Sequence, residues 1–207
     1  MSHKDSIGVD LQYGLPSHLR HATRKDLHRI VMSGFEDGQL DEAMPRSDAR
    51  CLFAVSGRNL IVRHRPDLNH QIPGLSAERS TLQATDPEQR YHLEVTVNAL
   101  VARSQRGALP PEVRQQHSPR GRRVPVPPDE LPEWALDLLN RRNLEPDDLT
   151  VSERFNVRRT AGRTGIIPAV TITATVRGGA ELDHVLSHGL GRGLNYGLGL
   201  AHVQPIH

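Results

Sequence analysis

The sequence predicts an α+β protein built from two successive β-α-β-β-α-β units, on two observations. Strand-like alternation and helix-like periodicity follow one another in the same order in each half of the chain. Residues 104–120, which are rich in Arg, Gln, Pro and Ser, separate the two halves as a linker or mobile loop would. This order is typical of tandem ferredoxin-like domains, an arrangement close to two RNA-recognition modules.

The first unit is predicted over residues 1–103. Thr23 is a plausible N-cap for a helix that has Leu27, Ile30 and Val31 on one face and ends at Gly34. Gly57-Arg58 joins two apolar runs and signals a hairpin. At most a short helix follows the hairpin. Strands are predicted at 6–13, 50–56, 59–65 and 81–102.

The second unit is predicted over residues 121–207. Its helices are expected at 128–143 and 180–188. A glycine-rich loop follows the second helix, with five glycines from Gly189 to Gly199, and leads into a last strand. The strands of this unit are predicted at 122–126, 149–157, 166–176 and 198–203.

Charge separation along the chain points to a nucleic-acid partner. The net charge is only +2, but arginine supplies all the basic charge except Lys4 and Lys25. The guanidinium group binds phosphate bidentately and stacks on bases. Arginines crowd the middle of the chain and a later hairpin, whereas acidic residues gather elsewhere, so a basic face is expected despite the mild total charge.

Composition also argues against several classes of protein. The single cysteine, Cys51, excludes an internal disulfide and a cysteine-based zinc cluster, and its apolar neighbours indicate a core residue. No apolar run is long enough to span a membrane and no signal peptide is recognisable, so a cytoplasmic protein is expected. The pairs His184/His188 and His64/His70 lack a convincing third ligand, so no metal site is predicted.

The glycine-rich loop admits three interpretations. A nucleotide-binding loop runs from strand to helix, whereas this loop runs from helix to strand, so a nucleotide-binding enzyme is the weakest of them. A tight turn before the last strand is the simplest. The third is a backbone cradle for a phosphate chain, because glycine lets a backbone approach a ligand closely.

Three motifs resemble CasE, the repeat-processing endoribonucleases of type I-E CRISPR Cascade complexes. They are Lys25-Asp26-Leu27-His28-Arg29 before an apolar helix, Arg122-Arg123-Val124-Pro125-Val126 before a tryptophan-containing helix, and the loop from Gly189 to Leu200. The resemblance covers most of the chain in order. It implies two ferredoxin-like domains that bind the stem-loop of a CRISPR repeat and cut the RNA at the 3′ base of the stem, without metal or other cofactor. It also implies that the protein is a monomer when free and stays on its product as a Cascade subunit, next to the backbone subunit.

The same resemblance assigns residues to roles. His28 falls at the catalytic position, and histidine can act as base or acid near neutral pH. Lys25 stands where relatives usually have a tyrosine, one helical turn from His28, and its ammonium could stabilise the phosphorane. Tyr13 and Tyr196 are weaker substitutes for that tyrosine, and Leu194 replaces a lysine that is frequent in the loop of relatives. RNA contacts are expected from Arg29, Arg120, Arg122, Arg123, Arg158, Arg159, Arg163, Gly189, Gly191, Arg192 and Gly193.

The sequence therefore predicts a metal-independent endoribonuclease for CRISPR precursor RNA that leaves a 2′,3′-cyclic phosphate and a 5′-hydroxyl. The alternative is a subunit that binds the RNA hairpin without cutting it. The departures at Lys25 and Leu194 keep this alternative open.

Overall fold

The structure, a computed structural model, describes residues 5–41, 43–103, 122–161 and 165–206. The helices are α1 (Arg24–Met32), α2 (Pro45–Ala49), α3 (Leu131–Asn140) and α4 (Ala180–His188). The first six strands are β1 (Ser6–Gly14), β2 (Leu52–Ser56), β3 (Asn59–His64), β4 (Ala77–Gln83), β5 (Arg90–Asn98) and β6 (Leu100–Arg103). The remaining strands are β7 (Arg122–Pro125), β8 (Leu149–Val151), β9 (Phe155–Arg158), β10 (Ile166–Arg177) and β11 (Ala201–Pro205).

The first sheet has the order β2-β3-β1-β4, and all its strand pairs are antiparallel. The predicted hairpin is confirmed, since β2 and β3 pair in register from Leu52↔Arg63 to Ser56↔Asn59. Helix α1 buries Leu27 and Val31 in the core of this half, as its apolar face predicts. Cys51 is buried in the same core, which confirms its prediction as a core residue.

The second sheet has the order β11-β5-β10-β8, and β9 also pairs with β10. Two strand assignments made from the sequence are wrong. Strand β5, placed in the first unit, lies between β11 and β10, because its residues Leu93, Val95 and Val97 are buried in the core of the second sheet. Strand β7, expected to open the second unit, pairs with β6 in a two-stranded ribbon.

The division into units at 103–104 therefore disagrees with the pairing of the strands. On that pairing, we propose that the boundary lies in the segment 84–89, between β4 and β5. Alternation within β5 indicates which side chains are buried, but it carries no information on which strand is the partner. The proposed linker, 104–120, lies outside the described residues.

Helix assignments differ in detail. The chain between β3 and β4 contains no helix, although residues 65–76 are all described, and a short helix that was not predicted, α2, precedes β2 instead. The helix expected at 128–143 consists of a 3₁₀ turn at Pro128–Glu130 followed by α3. The strand expected at 149–157 is divided into β8 and β9 at residues 152–154, where the Arg154 side chain donates to the Val126 carbonyl at 2.9 Å.

One buried side chain joins the two halves. Arg63 on β3 forms a bidentate ion pair with Asp10, with N–O distances of 2.6 and 2.7 Å. Its Nη1 also donates to the carbonyl oxygens of Leu186 at 3.0 Å and Ala201 at 2.8 Å, both in the second half. Because the side chain is only 2% exposed, these bonds form away from water and hold the two sheets in one arrangement. Among the described residues, no helix combines the length and apolarity needed to cross a bilayer.

Candidate active site

Helix α1 begins at a well-defined cap. The Thr23 hydroxyl accepts from the Asp26 backbone N–H at 3.2 Å and donates to the Asp26 carboxylate at 2.6 Å. The hydrogen bond from that hydroxyl holds the pKa of Asp26 below its usual value, and the positive charge of Arg29 adds a smaller effect in the same direction. The cap confirms the predicted start of the helix and thereby fixes the spacing of Lys25, His28 and Arg29 along it.

His28 is half-buried on this helix. Its ring stacks on that of Phe53 in β2, with centroids 6.2 Å apart and planes at 18°. Burial lowers the pKa of His28, and the positive charge of Arg46 lowers it further. The imidazole is therefore mainly neutral at neutral pH, which is the form that can accept a proton.

Arg46 was missed by the sequence analysis. It lies in α2, is half-buried, and has its own pKa lowered by that burial. Pro45 at the first position of α2 was the available signal, since proline favours the first turn of a helix. The electrostatic effect of Arg46 on His28 adds a cation to the surroundings of the candidate catalytic residue.

Lys25, the β9–β10 turn and the glycine-rich loop meet at the start of α1. The Lys25 backbone N–H donates to the Arg159 carbonyl at 3.0 Å, and its side chain is exposed. The Arg159 guanidinium lies over the Tyr196 ring, 5.7 Å from its centroid. Three segments that are distant in sequence thus meet one turn from His28.

The glycine-rich loop is folded tightly against the protein. Gly197 has φ +68°, and a Cβ there would lie 2.7 Å from the Phe53 ring. Gly199 has φ +79°, and a Cβ there would collide with the Leu190 carbonyl oxygen. Leu194 turns inward against Gly189 and Gly199, so its side chain closes the loop. Packing therefore accounts for Gly197 and Gly199, which are not among the glycines predicted to contact RNA.

One part of the loop keeps its backbone donors available. Among the described residues, no backbone carbonyl accepts from the N–H groups of Gly191, Arg192 and Gly193. By contrast, the N–H groups of Leu190 and Gly199 donate to carbonyls within the protein. Gly191 and Gly193 are half-buried, and Arg192 is exposed. A phosphate contact at these three residues stays a prediction, as does one at the buried Gly189, whose N–H donates to Val185.

The remaining predicted RNA contacts are more scattered. Arg29 is exposed, and Arg158 is exposed on β9 opposite Ile166. Arg123 is exposed on β7, in the ribbon with β6, where the backbone of Arg122 pairs with Arg103. Arg120 and Arg163 lie outside the described residues.

The far end of α1 is held by a second histidine. His70 Nε2 donates to the Val31 carbonyl at 2.8 Å, so its Nδ1 is the acceptor for the Tyr13 hydroxyl at 2.9 Å. A Cβ on Gly34 would lie 2.5 Å from His70 Nε2, and the Phe35 ring packs edge-on at 4.6 Å. Burial lowers the pKa of His70 to about 4. Tyr13 is fully buried in this network, so it is not available to replace the missing family tyrosine.

The histidine pairs do not assemble a metal centre. His64 and His70 lie with ring centroids 5.7 Å apart, and both nitrogens of His70 are already hydrogen-bonded. His184 and His188 stack at 4.2 Å on an exposed face of α4. In the described parts of the chain, no three His, Cys, Asp or Glu side chains lie close enough to share a metal ion.

Comparisons with known proteins agree with the fold. A family model described as CRISPR associated protein matches residues 14–205. Similar structures include the CRISPR endoribonuclease Cse3 bound to a 19 nt RNA, with a TM-score of 0.72, 15% identity, and coverage of 96% of this chain and 98% of that one. No curated protein matches the sequence.

Two further structures come from named organisms. Cse3 of Thermus thermophilus, bound to an RNA representing a pre-cleavage complex, has a TM-score of 0.70 and 15% identity over 96% of this chain and 99% of that one. Cas6e of Escherichia coli K-12 has a TM-score of 0.66 and 13% identity over 96% of this chain and 100% of that one. The tandem ferredoxin-like fold class is confirmed, and the family match covers nearly the whole chain. The chain belongs to the CRISPR-associated protein family.

Proposed function

We propose that this protein is a metal-independent endoribonuclease that cleaves CRISPR precursor RNA at the 3′ base of the repeat stem-loop. The main support is the position of His28. Its half-buried ring has a lowered pKa and lies one turn from the point where α1, an arginine-bearing hairpin and the glycine-rich loop meet. Proteins named CRISPR endoribonuclease Cse3 share this fold and bind RNA.

The neutral imidazole of His28 suits the role of general base. It would remove the proton from the RNA 2′-hydroxyl, whose oxygen then attacks the adjacent phosphorus. The P–O5′ bond breaks, and the products are a 2′,3′-cyclic phosphate and a 5′-hydroxyl. The exposed Lys25 ammonium lies one turn earlier on the helix and is the group we assign to neutralise the phosphorane and protonate the leaving 5′-oxygen.

The surrounding cations would hold the RNA stem. Arg158 and Arg159 lie at the end of β9, where a hairpin can contact phosphates, and Arg29 lies on the exposed side of α1 beside His28. The N–H groups of Gly191 and Gly193, with the Arg192 side chain between them, are suited to a phosphate. After cleavage the protein would stay on the guide RNA, in the cytoplasm, as a Cascade subunit next to the backbone subunit, having been a monomer before assembly.

A non-catalytic RNA-hairpin-binding subunit is the second candidate. The inward orientation of Leu194 supports it, because this position cannot supply the cation that relatives often have there. Lys25 in place of the family tyrosine points the same way. Both candidates require hairpin binding, and only the first requires the 2′-hydroxyl next to the cut.

Cleavage of a labelled repeat hairpin in EDTA tests the proposal. Wild type and the control His21→Ala, an exposed histidine before α1, should cut once at the stem base, whereas His28→Ala should bind without cutting. A single 2′-deoxy nucleotide upstream of the cut should abolish cleavage and leave the dissociation constant unchanged. Tight binding by wild type with no product would reject the enzyme and favour the binding subunit.

A further inference from the structure

A cavity opens beside the start of α1. It has a volume of about 240 Å³ and lies between α1, the edge strand β2, strand β5 and the glycine-rich loop. Its lining includes Arg24, Ser56, Glu94, Thr96, Phe155 and His202. At roughly 30 Å³ of liquid volume for each water, the space corresponds to about eight water molecules. It therefore has room for a single planar ring system with polar contacts at its edge.

Arg24 lines this cavity and has one guanidinium nitrogen without a partner in the described part of the chain. Its Nη1 is inaccessible to solvent and has no hydrogen-bond partner among the described residues, and burial lowers the pKa of the guanidinium. No carboxylate in the described parts of the chain forms an ion pair with it. A buried polar group without a partner is costly, so a reorientation of the guanidinium that gives Nη1 an acceptor oxygen or nitrogen on a ligand in the cavity would be stabilising.

Phe155 provides a flat apolar surface at the same cavity. Its side chain is 42% exposed, although only 3% of this chain is aromatic. Exposed aromatic rings beside basic groups are typical platforms for unpaired bases, because every base has a π-face that can stack.

Polar groups at the cavity can read the edge of a base. The Glu94 carboxylate is exposed on β5 and accepts hydrogen bonds, whereas the Arg24 guanidinium donates them. This combination matches a base that has both an exocyclic amine and ring or carbonyl acceptors. Adenine, cytosine and guanine meet that requirement, and uracil lacks the amine.

The cavity is adjacent to the candidate active site. Arg24 precedes His28 by four residues, so both lie on the same side of α1. Gly197 packs between the Phe53 ring, on which His28 stacks, and the Arg24 guanidinium. A base bound here would belong to a nucleotide next to the phosphate that the 2′-hydroxyl, activated by His28, attacks.

We propose that this cavity binds one unpaired, amine-bearing nucleobase of the RNA, turned out of the strand beside the scissile phosphate. The inference rests on the proposed function and extends it to a base-specific contact. Extruding a base costs least where the RNA is already unpaired, which favours a nucleotide at the junction of stem and single strand.

The test combines RNA and protein substitutions. Each nucleotide flanking the cut is replaced in turn by an abasic site, and dissociation constants are measured for wild type, Phe155→Ala, Glu94→Gln and the control Glu153→Gln. Glu153 is exposed near β9 and does not line the cavity. For wild type and the control, one abasic position should weaken binding roughly tenfold, the range expected for a stacked base. Phe155→Ala and Glu94→Gln have already lost part of the contact with the base. In these variants the same abasic site should therefore weaken binding little further.

A fluorescent base gives a second readout. With 2-aminopurine at the identified position, binding to wild type should quench its fluorescence by stacking, and Phe155→Ala should remove the quenching. If wild type binds and cleaves the repeat, but Phe155→Ala and Glu94→Gln change the effect of no abasic site, the cavity proposal alone is overturned. Failure of wild type to bind the repeat hairpin would overturn the proposed function as well.

Discussion

The two histidines that contact or belong to α1 differ in how far their rings are enclosed. His28, at the middle of the helix, is half-buried and stacked on one face, with the positive charge of Arg46 nearby. His70, at the end, is buried and has both ring nitrogens hydrogen-bonded to Val31 and Tyr13. Burial lowers the pKa of both. A lowered pKa therefore does not by itself identify a catalytic histidine, since the ring must also be accessible to substrate.

The largest expected effect separates the two histidines by activity. His28→Ala should reduce cleavage by about 10²–10⁴-fold, the usual contribution of a general base, with little change in the free energy of unfolding. Free imidazole should restore part of this rate, because the half-exposed site can admit it. His70→Gly should gain nothing from imidazole. Rescue of both variants, or of neither, would contradict the comparison.

Acid should destabilise the protein mainly by protonating His70, which is buried at the C-terminal end of α1. The folded-state pKa of His70 is about 4, whereas an unfolded histidine titrates near 6.5. The unfolded chain binds the additional proton, so the free energy of unfolding should fall as pH decreases below about 6.5, by roughly 3 kcal/mol near pH 4. Urea unfolding of wild type and His70→Phe at several pH values measures this, and the variant should lose much of the slope.

The tight packing of the glycine-rich loop can be tested by substituting Gly199. Gly199→Ala should lower the free energy of unfolding by about 2 kcal/mol more than Gly38→Ala. Both positions have a positive φ, at +79° and +81°, but a Cβ at Gly38 meets no atom within 4 Å. The control therefore includes the backbone strain and omits the collision with Leu190. Equal losses, measured by urea unfolding, would show that packing of the loop is loose.

The smallest effect concerns Lys25. Lys25→Met keeps the length of the side chain and removes its charge, so cleavage should fall about tenfold while the fold is unchanged. Lys25→Arg should retain more of the rate than Lys25→Met, because arginine keeps the positive charge that neutralises the phosphorane. It does not donate a proton readily, so the rate should stay below that of wild type. Single-turnover cleavage rates decide the outcome, and an unchanged rate for Lys25→Met would remove this residue from the mechanism.

The sequence predicted features that depend on neighbouring residues. The Thr23 cap, the turn at Gly57-Arg58 and the apolar face of α1 all follow from local chemistry, and all are confirmed. The resemblance to CasE, based on motifs, identified the family and the fold.

Features that depend on distant contacts were not predictable in the same way. Strand β5 was assigned to the wrong sheet, because alternation gives the buried face and not the partner. The position of Arg24 at the cavity depends on its contact with Gly197, which is far away in sequence and near in space. Arg46 was missed because its short helix has little periodicity to detect.

The position of β5 has a consequence for the covalent continuity of the chain. Hydrogen bonds on both edges of β5 attach it to β10 and β11, and β6 pairs with β7 on the far side of residues 104–121. The first 103 residues therefore contribute a central strand to a sheet whose other strands come from the remainder. A gene divided between these segments should yield two polypeptides that assemble on co-expression, because the second sheet is complete only when both are present.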